Sequence, residues 1–461
     1  MKTAFSFLLL AVTGFCFGQS DVAEYAIVED HTTIEMVGME ELEIGNKSDE
    51  EVSQDAEYTS TIHFQERAFG VYRTEGVIWY DFDAKRHIYL NQQGEVTDYI
   101  ELYHIADYRL AESANRSFLN GALEAGGVEQ SPFGSKLNEE LLFRHQLNDD
   151  AAKQLISVEE KGDTTIWKGS GRILTKCVAG KKGKKGKQVS PDMLYKYLLY
   201  NHEIHPFVAK VIAASGRCPS YLEYSFNNFS SHVNVKMTLN MDAETNLQPC
   251  PSISELAFSE EKHSYKWHTK LNTIIANVIA GEAKVITGQE AERDATQLKK
   301  EGENLSALLS LFNYLLSTGE QPAEQIAEIV PLATEDEDLA AFLKALASPS
   351  NAEQAEANVA VFTDLMTRTK EYGYIMNVFA ANHIQPADAD RALNYFELAL
   401  VENSTVAGVY IDLGNLFCDR YLYALGWKCY LAAHLLAPDH GMGIDIARKR
   451  KNLEEALPGY F

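Results

Sequence analysis

The stretch Ala407–His440 reads AGVYIDLGNLFCDRYLYALGWKCYLAAHLLAPDH, and it decides the fold predicted for the second half of the chain. Two small residues in it, Gly414 and Gly426, stand on successive predicted helices. A glycine on each helix lets the two helices approach closely, while large aromatic side chains fill the space beside them. Those aromatic residues are Tyr410, Phe417 and Tyr430. The stretch therefore predicts a tightly packed pair of helices.

The spacing of these residues resembles one tetratricopeptide repeat, whose pattern is W-x2-L-G-x2-Y, then A-x3-F, then P. Every spacing is kept, and the pattern positions carry Tyr410, Leu413, Gly414, Phe417, Gly426, Tyr430 and Pro438. A weaker second copy lies about 34 residues earlier in the chain. Its matching positions are Met376, Phe379, Ala380, Ala392 and Phe396. The resemblance implies stacked helix pairs, which is an architecture and not a chemistry.

Helical periodicity continues through the C-terminal part, so we predict an all-α domain of tetratricopeptide-like repeats over residues 271–461. Prolines punctuate the successive helices, at Pro322, Pro331 and Pro349. The final helix, about Ile444 to Leu457, contains the basic run Arg448–Lys451. We expect this helix to cap the stack and its basic run to form a solvated face.

Alternation of apolar and polar residues between Tyr58 and Asp107 predicts antiparallel strands joined by short turns. The predicted strands are Thr59–Phe64, Val71–Arg73, Val77–Phe82, His87–Asn91 and Val96–Leu102. Strand patterns return from Leu155 and from Tyr221, on either side of a helical insertion that starts at Ser190-Pro191-Asp192. The fold class predicted for residues 58–265 is therefore α+β, a curved antiparallel sheet with helices on one face.

This order of elements is similar to that of the periplasmic lipoprotein-carrier family, which forms a half-open barrel with a lipid-binding hollow. The similarity covers about Tyr58 to Phe258 and includes no diagnostic motif. It implies that the sheet encloses a space for an apolar ligand.

The first residues of the chain are typical of a signal peptide. Lys2 supplies the charge, Phe5–Phe15 the apolar core and Gly18 a small residue before the cleavage point. We therefore expect residues 1–18 to be removed and the protein to be exported, to the periplasm or outside the cell. Lipid attachment at Cys16 is the alternative, but Phe15 stands where such sites require a small residue.

Residues 19–57 are acidic, and apolar residues become sparse after Ile44. Such a composition buries little surface, so it predicts a flexible segment that is mobile at least from Gly45 to Asp55. The whole chain has a formal net charge of -25, which argues against nucleic acid or an anionic membrane as the main partner. No run after the signal peptide approaches the ~20 apolar residues that span a bilayer, so the mature chain is predicted not to cross a membrane.

Two motifs have residue types that could bind a metal ion or a phosphate group, and neither predicts a cofactor. His202 and His205 are three residues apart and Pro206 follows, whereas zinc proteases place two histidines four apart on one helix. The basic loop Lys181–Lys187 lacks the glycine and hydroxyl positions of a phosphate-binding loop. It is a solvated turn or a docking patch for an anionic surface. The sequence therefore predicts neither a metal nor a cofactor.

Five cysteines remain once the signal peptide is removed, so at least one is unpaired in an oxidising compartment. Cys218 and Cys250 each precede a proline and flank two predicted strands. The ends of a hairpin lie together, which makes this pair the best candidate disulfide. Cys418 and Cys429 lie on the paired helices of the last repeat, where we expect them to be buried.

The favoured function is a non-enzymatic interaction with another protein or peptide. In tetratricopeptide repeats the first helix of each pair lines the binding surface, which implies the partner-binding residues Tyr374, Asn377, Ile411, Asn415 and Asp419. These positions hold no basic residue, so the partner is expected to be neutral or basic. Intramolecular packing of the same positions is the other possibility.

Two other classes of function stay open. A carrier or sensor of an apolar ligand would show a pocket of several hundred Å3 with apolar walls in the β-rich domain. An enzyme would show clustered carboxylates or histidines with perturbed pKa values in the loops of that domain.

Overall fold

The computed structural model describes residues 27–38, 54–127, 149–169, 172–180, 189–202, 204–227, 231–240, 247, 250–251, 269–281, 283–369 and 372–461. The predicted signal peptide, the basic loop and most of the segment Gly45–Asp55 lie outside these residues. The predicted order of a β-rich part followed by an all-helical part is confirmed. Among the helices that the structure describes, none is both long enough and apolar enough to cross a bilayer.

One open antiparallel sheet of eleven strands forms the N-terminal part. The strands are β1 (Ile27–Gly38), β2 (Gln54–Phe64), β3 (Ala68–Arg73), β4 (Gly76–Asp81), β5 (Arg86–Asn91), β6 (Val96–Glu101), β7 (Ser157–Lys161), β8 (Thr164–Gly169), β9 (Arg172–Ala179), β10 (Pro219–Asn227) and β11 (Ser231–Asn240). Their spatial order is β6-β5-β4-β3-β2-β1-β11-β10-β9-β8-β7. Two meanders therefore meet at the pair β1 and β11, where Ile34 is in register with Val235.

The structure differs from the predicted flexible segment 19–57, because that segment contains β1 and the first residues of β2. Val28, Asp30 and Thr32 are buried in β1, whereas His31 between them is exposed. This is the alternation of a strand with one buried face. Composition alone does not predict this strand, because Asp30 suggests a solvated charge unless its buried partners are known.

In the described residues, four helices accompany the sheet: α1 (Tyr103–Ala125), α2 (Asp149–Leu155), α3 (Pro191–His202) and α4 (Pro206–Ala214). The helix α3 covers the aromatic face of the sheet. The Tyr197 ring centroid lies 5.4 Å from that of Phe64 and 5.7 Å from that of Phe69, while Tyr200 lies 5.6 Å from Phe82. The aromatic side chains that would line a ligand-binding hollow are thus packed against α3.

Eleven further helices follow in the described part of the C-terminal region. They are α5 (Thr269–Ile279), α6 (Gly288–Lys300), α7 (Asn304–Thr318), α8 (Ala323–Ile329), α9 (Glu337–Ala345), α10 (Ala352–Met366), α11 (Ile375–Ile384), α12 (Ala389–Glu402), α13 (Ala407–Asp419), α14 (Tyr423–Leu436) and α15 (Gly443–Ala456). Pro322 precedes α8, and Pro331 lies in the 3-10 turn Val330–Thr334 that follows it. The predicted prolines therefore do separate helices.

The close contact predicted between α13 and α14 is present. A Cβ atom on Gly414 would lie 2.3 Å from Cε1 of Tyr430, and one on Gly426 would lie 2.6 Å from Sγ of Cys418. Both distances are too short for non-bonded carbon contacts, so the backbones approach as only glycine allows.

The helix α7 packs against α9, α11 and α13, including the first helix of each predicted repeat. Its Phe312 ring centroid lies 6.0 Å from that of Phe342 in α9 and 5.4 Å from that of Phe379 in α11. A Cβ atom on Gly408 of α13 would lie 3.1 Å from the carbonyl oxygen of Leu316. The same chain therefore covers part of the surface that the repeat resemblance assigns to a partner.

The two segments predicted as domains, 58–265 and 271–461, share one hydrophobic core. A single cluster of buried side chains extends from Val28 in β1 to Tyr460. At its centre Trp427 of α14 stacks on Tyr103 of α1, with 5.0 Å between ring centroids, and its Nε1 donates a hydrogen bond to Asp107 Oδ2 over 2.9 Å. The helical region is thus built onto the sheet.

Ion pairs surround this contact and correct the prediction that the run Arg448–Lys451 is a solvated face. Arg448 and Lys451 pair with carboxylates of their own helix. Lys449 lies 2.6 Å from Asp107, however, and Arg450 lies 2.8 Å from Glu101 at the end of β6. The residues Lys428 and Asp98 form a further buried pair. In these three pairs the acidic group is on the side of the sheet and α1, and the basic group is on α14 or α15; Lys85 and Glu454 form a further pair of the opposite polarity.

Candidate binding groove

A groove with a volume of about 430 Å3 lies between α3, α4 and the segment Ala456–Tyr460. Its walls are mostly apolar and include Pro191, Pro206, Pro458, Tyr195 and Tyr460. Among the described residues that line it, the only charged ones are Asp192 and Lys210. The volume falls within the ~300–1,000 Å3 range of ligand-binding sites.

Two helix starts bring proline rings to the groove. Proline is tolerated in the first turn of a helix because the N–H that it lacks has no partner there. Pro191 begins α3, where Ser190 Oγ accepts a hydrogen bond from the Met193 N–H. Pro206 begins α4, where His205 Nδ1 accepts from the Phe207 N–H. The helix starts at Pro191 and Pro206 thus place two proline rings in the wall of the groove.

The opposite wall is held against α3 by Gly459 and Tyr460. A Cβ atom on Gly459 would lie 2.8 Å from Cε1 of Tyr195, so only glycine lets this backbone lie on the tyrosine ring. Tyr200 Oη donates a hydrogen bond of 2.6 Å to the carbonyl oxygen of Tyr460. The groove is therefore preformed, and it is built by residues from both parts of the chain.

The charges beside the groove are compensated. Asp192 Oδ2 accepts a hydrogen bond from Lys196 Nζ over 3.1 Å and lies 3.8 Å from Arg67 Nη1. The Lys196 side chain is buried, with Nζ 4.4 Å from the centroid of the Phe82 ring. Burial lowers the pKa of Lys196, and the hydrogen bond that Lys196 donates to Asp192 opposes this. The rim therefore presents a half-exposed carboxylate with two cations next to it.

The most concentrated set of titratable groups near α3 is enclosed in the core. Tyr197 Oη donates a hydrogen bond of 2.8 Å to Asp30 Oδ2, and His202 Nε2 lies 2.8 Å from the same hydroxyl. Thr32 Oγ1 donates to Asp30 Oδ1 over 2.8 Å. Burial lowers the pKa of His202 to about 4, with Asp30 opposing the shift. All four side chains are buried, so this network joins α3 to β1 and gives a substrate no access.

The two histidines weighed above against a zinc motif have separate structural roles. His202 belongs to the buried network with Asp30, and His205 caps α4. Within the described residues, no group of three histidine, cysteine or acidic side chains is arranged to hold a metal ion.

The five predicted partner-binding residues do not form one exposed surface. Asn377 and Ile411 are buried, and Tyr374 Oη accepts a hydrogen bond of 2.8 Å from Asn403 Nδ2. Asn415 and Asp419 are exposed, and Asn415 Oδ1 accepts from Tyr430 Oη over 2.7 Å. The repeat pattern gives the positions of the helices, but it does not say what packs on them.

The structure does not form the predicted disulfide. The described cysteines Cys177, Cys218, Cys250, Cys418 and Cys429 are all free thiols. Cys250 packs with Trp79, whereas Cys218 belongs to the main core with Tyr80. Since neighbouring strand residues point to opposite faces of a sheet, these two cysteines lie against different faces. Cys418 and Cys429 are buried, as predicted.

Sequence reasoning identified the helix start at Pro191 but not the groove. Its other wall, Leu457–Tyr460, lies more than two hundred residues further along the chain. The sequence Pro458-Gly459-Tyr460 shows a chain turn, yet nothing local indicates that Gly459 meets Tyr195.

No known protein family model matches this chain, and no characterised protein or solved structure is detectably similar to it.

Proposed function

We propose that this chain is an exported, non-enzymatic binding protein that holds a segment of another protein in the groove between α3, α4 and Ala456–Tyr460. The observation that carries the proposal is the preformed apolar wall, in which Gly459 and Tyr460 are fixed against Tyr195 and Tyr200. Preformed apolar sites bind well because little ordering is needed on binding.

The exposure of the rim favours a protein segment over a small molecule. Pro191, Asp192, Ala214, Ala456 and Pro458 line the groove and are exposed to solvent. A small ligand is usually about 70–90% enclosed by its site. An open groove suits a segment of a larger partner, because the rest of that partner can cover the exposed side of the groove.

The helical region serves this function as a scaffold. Its helices α14 and α15 are held on the sheet by Trp427, Lys449 and Arg450, and α15 leads directly into the segment that forms the second wall. The partner is neutral or basic, because a net charge of -25 repels acidic segments over the whole surface.

Selection of random phage-displayed peptides on the immobilised full chain tests the proposal. Ala214→Trp places a large ring in the groove, and Val211→Trp is its matched control because Val211 is exposed on the same helix and does not line the groove. We expect enriched peptides to bind the wild type and Val211→Trp but not Ala214→Trp. Selected peptides that bind Ala214→Trp as well as they bind the wild type would contradict the proposal. A failure of any peptide to enrich would contradict it too.

Export is part of the same proposal and rests on the sequence of residues 1–18. Mass spectrometry of the protein isolated from its own cells should show Gln19 as the first residue. A chain that still begins at Met1 would remove the exported part of the proposal.

A further inference from the structure

We infer that the segment held in the groove is proline-rich and adopts the polyproline II conformation. This inference rests on the proposed function and names the chemical class of its partner. It follows from the backbone of the groove, which offers a partner very few hydrogen-bonding groups.

Much of the lining backbone is already engaged or lacks a donor. Pro191, Pro206 and Pro458 have no N–H. The Leu457 N–H donates to the Leu453 carbonyl over 2.8 Å, and the Tyr460 N–H donates to the Leu457 carbonyl over 3.0 Å. The Tyr460 carbonyl oxygen accepts from Tyr200.

The other lining segments are helical. Tyr195 lies inside α3, and Lys210 and Ala213 lie inside α4, where backbone groups bond within the helix. A partner that adds a β-strand needs a row of free backbone N–H and C=O groups. The described part of this groove does not provide such a row.

Polyproline II is the extended conformation that needs no such row. It has no internal hydrogen bonds, its backbone stays solvated, and three residues complete a turn, so every third side chain lies on the same face. A proline-rich segment also loses little conformational entropy on binding, because its φ angles are fixed in advance. The groove can therefore bind it through ring contacts alone.

The side chains of the groove supply those contacts. Tyr195 is half-buried, and the close approach of Gly459 fixes the position of its ring. The rings of Pro191, Pro206 and Pro458 line the same space. Grooves that recognise proline-rich segments present aromatic rings to them, and Tyr195 is the accessible aromatic residue of this lining, since Tyr460 is buried.

Charge sets the flanks of the segment. Asp192 at the rim is already paired with Lys196 and Arg67, so the attraction comes from the chain as a whole, which carries a net charge of -25. A basic residue beside the prolines would gain from this overall field, whereas an acidic residue would be repelled. This attraction should weaken as salt is added.

Fluorescence anisotropy with labelled synthetic peptides and the full chain tests the inference. The probes are a proline-rich decapeptide with an arginine at each end, the same peptide with glutamates at the ends, and a peptide in which alanine and glycine replace the prolines. We expect binding in the order arginine-flanked, glutamate-flanked, proline-free. Tyr195→Ala should weaken the arginine-flanked peptide about tenfold, as expected for an aromatic binding residue, whereas Tyr195→Phe keeps the ring and should bind.

The control variant is Tyr421→Ala, which removes an exposed tyrosine that does not line the groove. A circular-dichroism melt of each variant separates loss of binding from loss of folding, and Ala214→Trp supplies a second variant that blocks the groove without altering Tyr195.

Equal binding of the proline-free peptide, or unchanged binding in both Tyr195→Ala and Ala214→Trp, would overturn the inference. If library selection instead yields proline-free peptides that Ala214→Trp rejects, the groove binds protein but the proline-rich class is wrong. If no library peptide depends on the groove, the proposed function itself is wrong.

Discussion

Gly414 shows how much of this structure one residue determines. A hydrogen atom in place of a side chain lets α14 lie against α13, with the Tyr430 ring where a Cβ atom would be. We expect Gly414→Leu to destabilise the protein by several kcal/mol, because both the ring and the backbone are held in the core. Thermal melting measures this.

The control for Gly414→Leu is Gly441→Ala, since a Cβ atom on Gly441 meets nothing within 4 Å. Its melting temperature should stay close to that of the wild type. A Gly414→Leu protein that melts at the wild-type temperature would show that the close helix contact does not exist.

His202 gives a prediction about pH. Its pKa is about 4 in the folded protein and about 6.5 when unfolded, so between these values the unfolded chain binds more protons. Its contribution to stability is therefore fully present above about pH 6.5 and is lost as the pH falls towards 4.

Urea denaturation at pH 7.5, 6 and 5 measures this contribution as the difference between the wild type and His202→Gln. The difference is needed because burial also raises the pKa of Asp412 to about 6, which stabilises the fold as the pH falls. We expect the loss of stability between pH 7.5 and 5 to be smaller in His202→Gln. An identical loss in both proteins would mean that His202 is not buried.

Residues that act through a partner were the hardest to predict from sequence. The roles of Gly414 and Gly426 could be predicted because the repeat spacing pairs them. Asp30 could not, because a carboxylate in an acidic stretch suggests solvent until Tyr197 and Thr32 are known to donate to it. The role of Gly459 could not be predicted either, because its partner Tyr195 is remote in sequence.

At the scale of the element, α15 combines two kinds of surface that the sequence presents as one basic run. Arg450 and Glu101 are largely buried and form two hydrogen bonds, of 2.8 and 3.1 Å. Arg448 is exposed and pairs only with Asp445 of its own helix in the described structure. The two middle residues of the run, Lys449 and Arg450, therefore lie at the interface, and the two outer ones, Arg448 and Lys451, lie in solvent.

We expect Arg450→Ala to destabilise the protein by about 3 kcal/mol, because it leaves Glu101 buried without its cation. Burial already raises the pKa of Glu101, and Arg450 opposes that shift. Arg448→Ala is the matched control and should change stability by less than about 1 kcal/mol. Chemical denaturation compares the two, and equal effects would place both arginines in solvent.

Strands were predictable where apolar and polar residues alternate strongly along the sequence. All five strands of the first meander were identified, with ends that differ by a few residues from β2 to β6. The long helix α1 was not predicted, and it contains Gly121, a weak helix former. A Cβ atom there would meet nothing within 4 Å, so this glycine sits on an open helix surface, at a cost of about 1 kcal/mol.

At the scale of the whole molecule, the sequence changes from strand patterns to helix patterns near residue 270, and this change suggested two separable domains. In the structure the two segments contact each other through Trp427, through the ion pairs of α14 and α15, and through the segment that closes the groove. Sequence patterns report the local period of each element. They do not show which face of one element packs against which other element.

The central claim is that the sheet and the helices form one folding unit with the groove at their junction. Hydrogen exchange pulse-labelling with mass spectrometry, performed across a urea series on the full chain, tests it directly. We predict that peptides from β2–β6 and from α13–α15 lose protection at the same urea concentration, because Trp427 and Arg450 couple them through one core. Protected α13–α15 peptides at a urea concentration where β2–β6 are fully exchanged would contradict the claim.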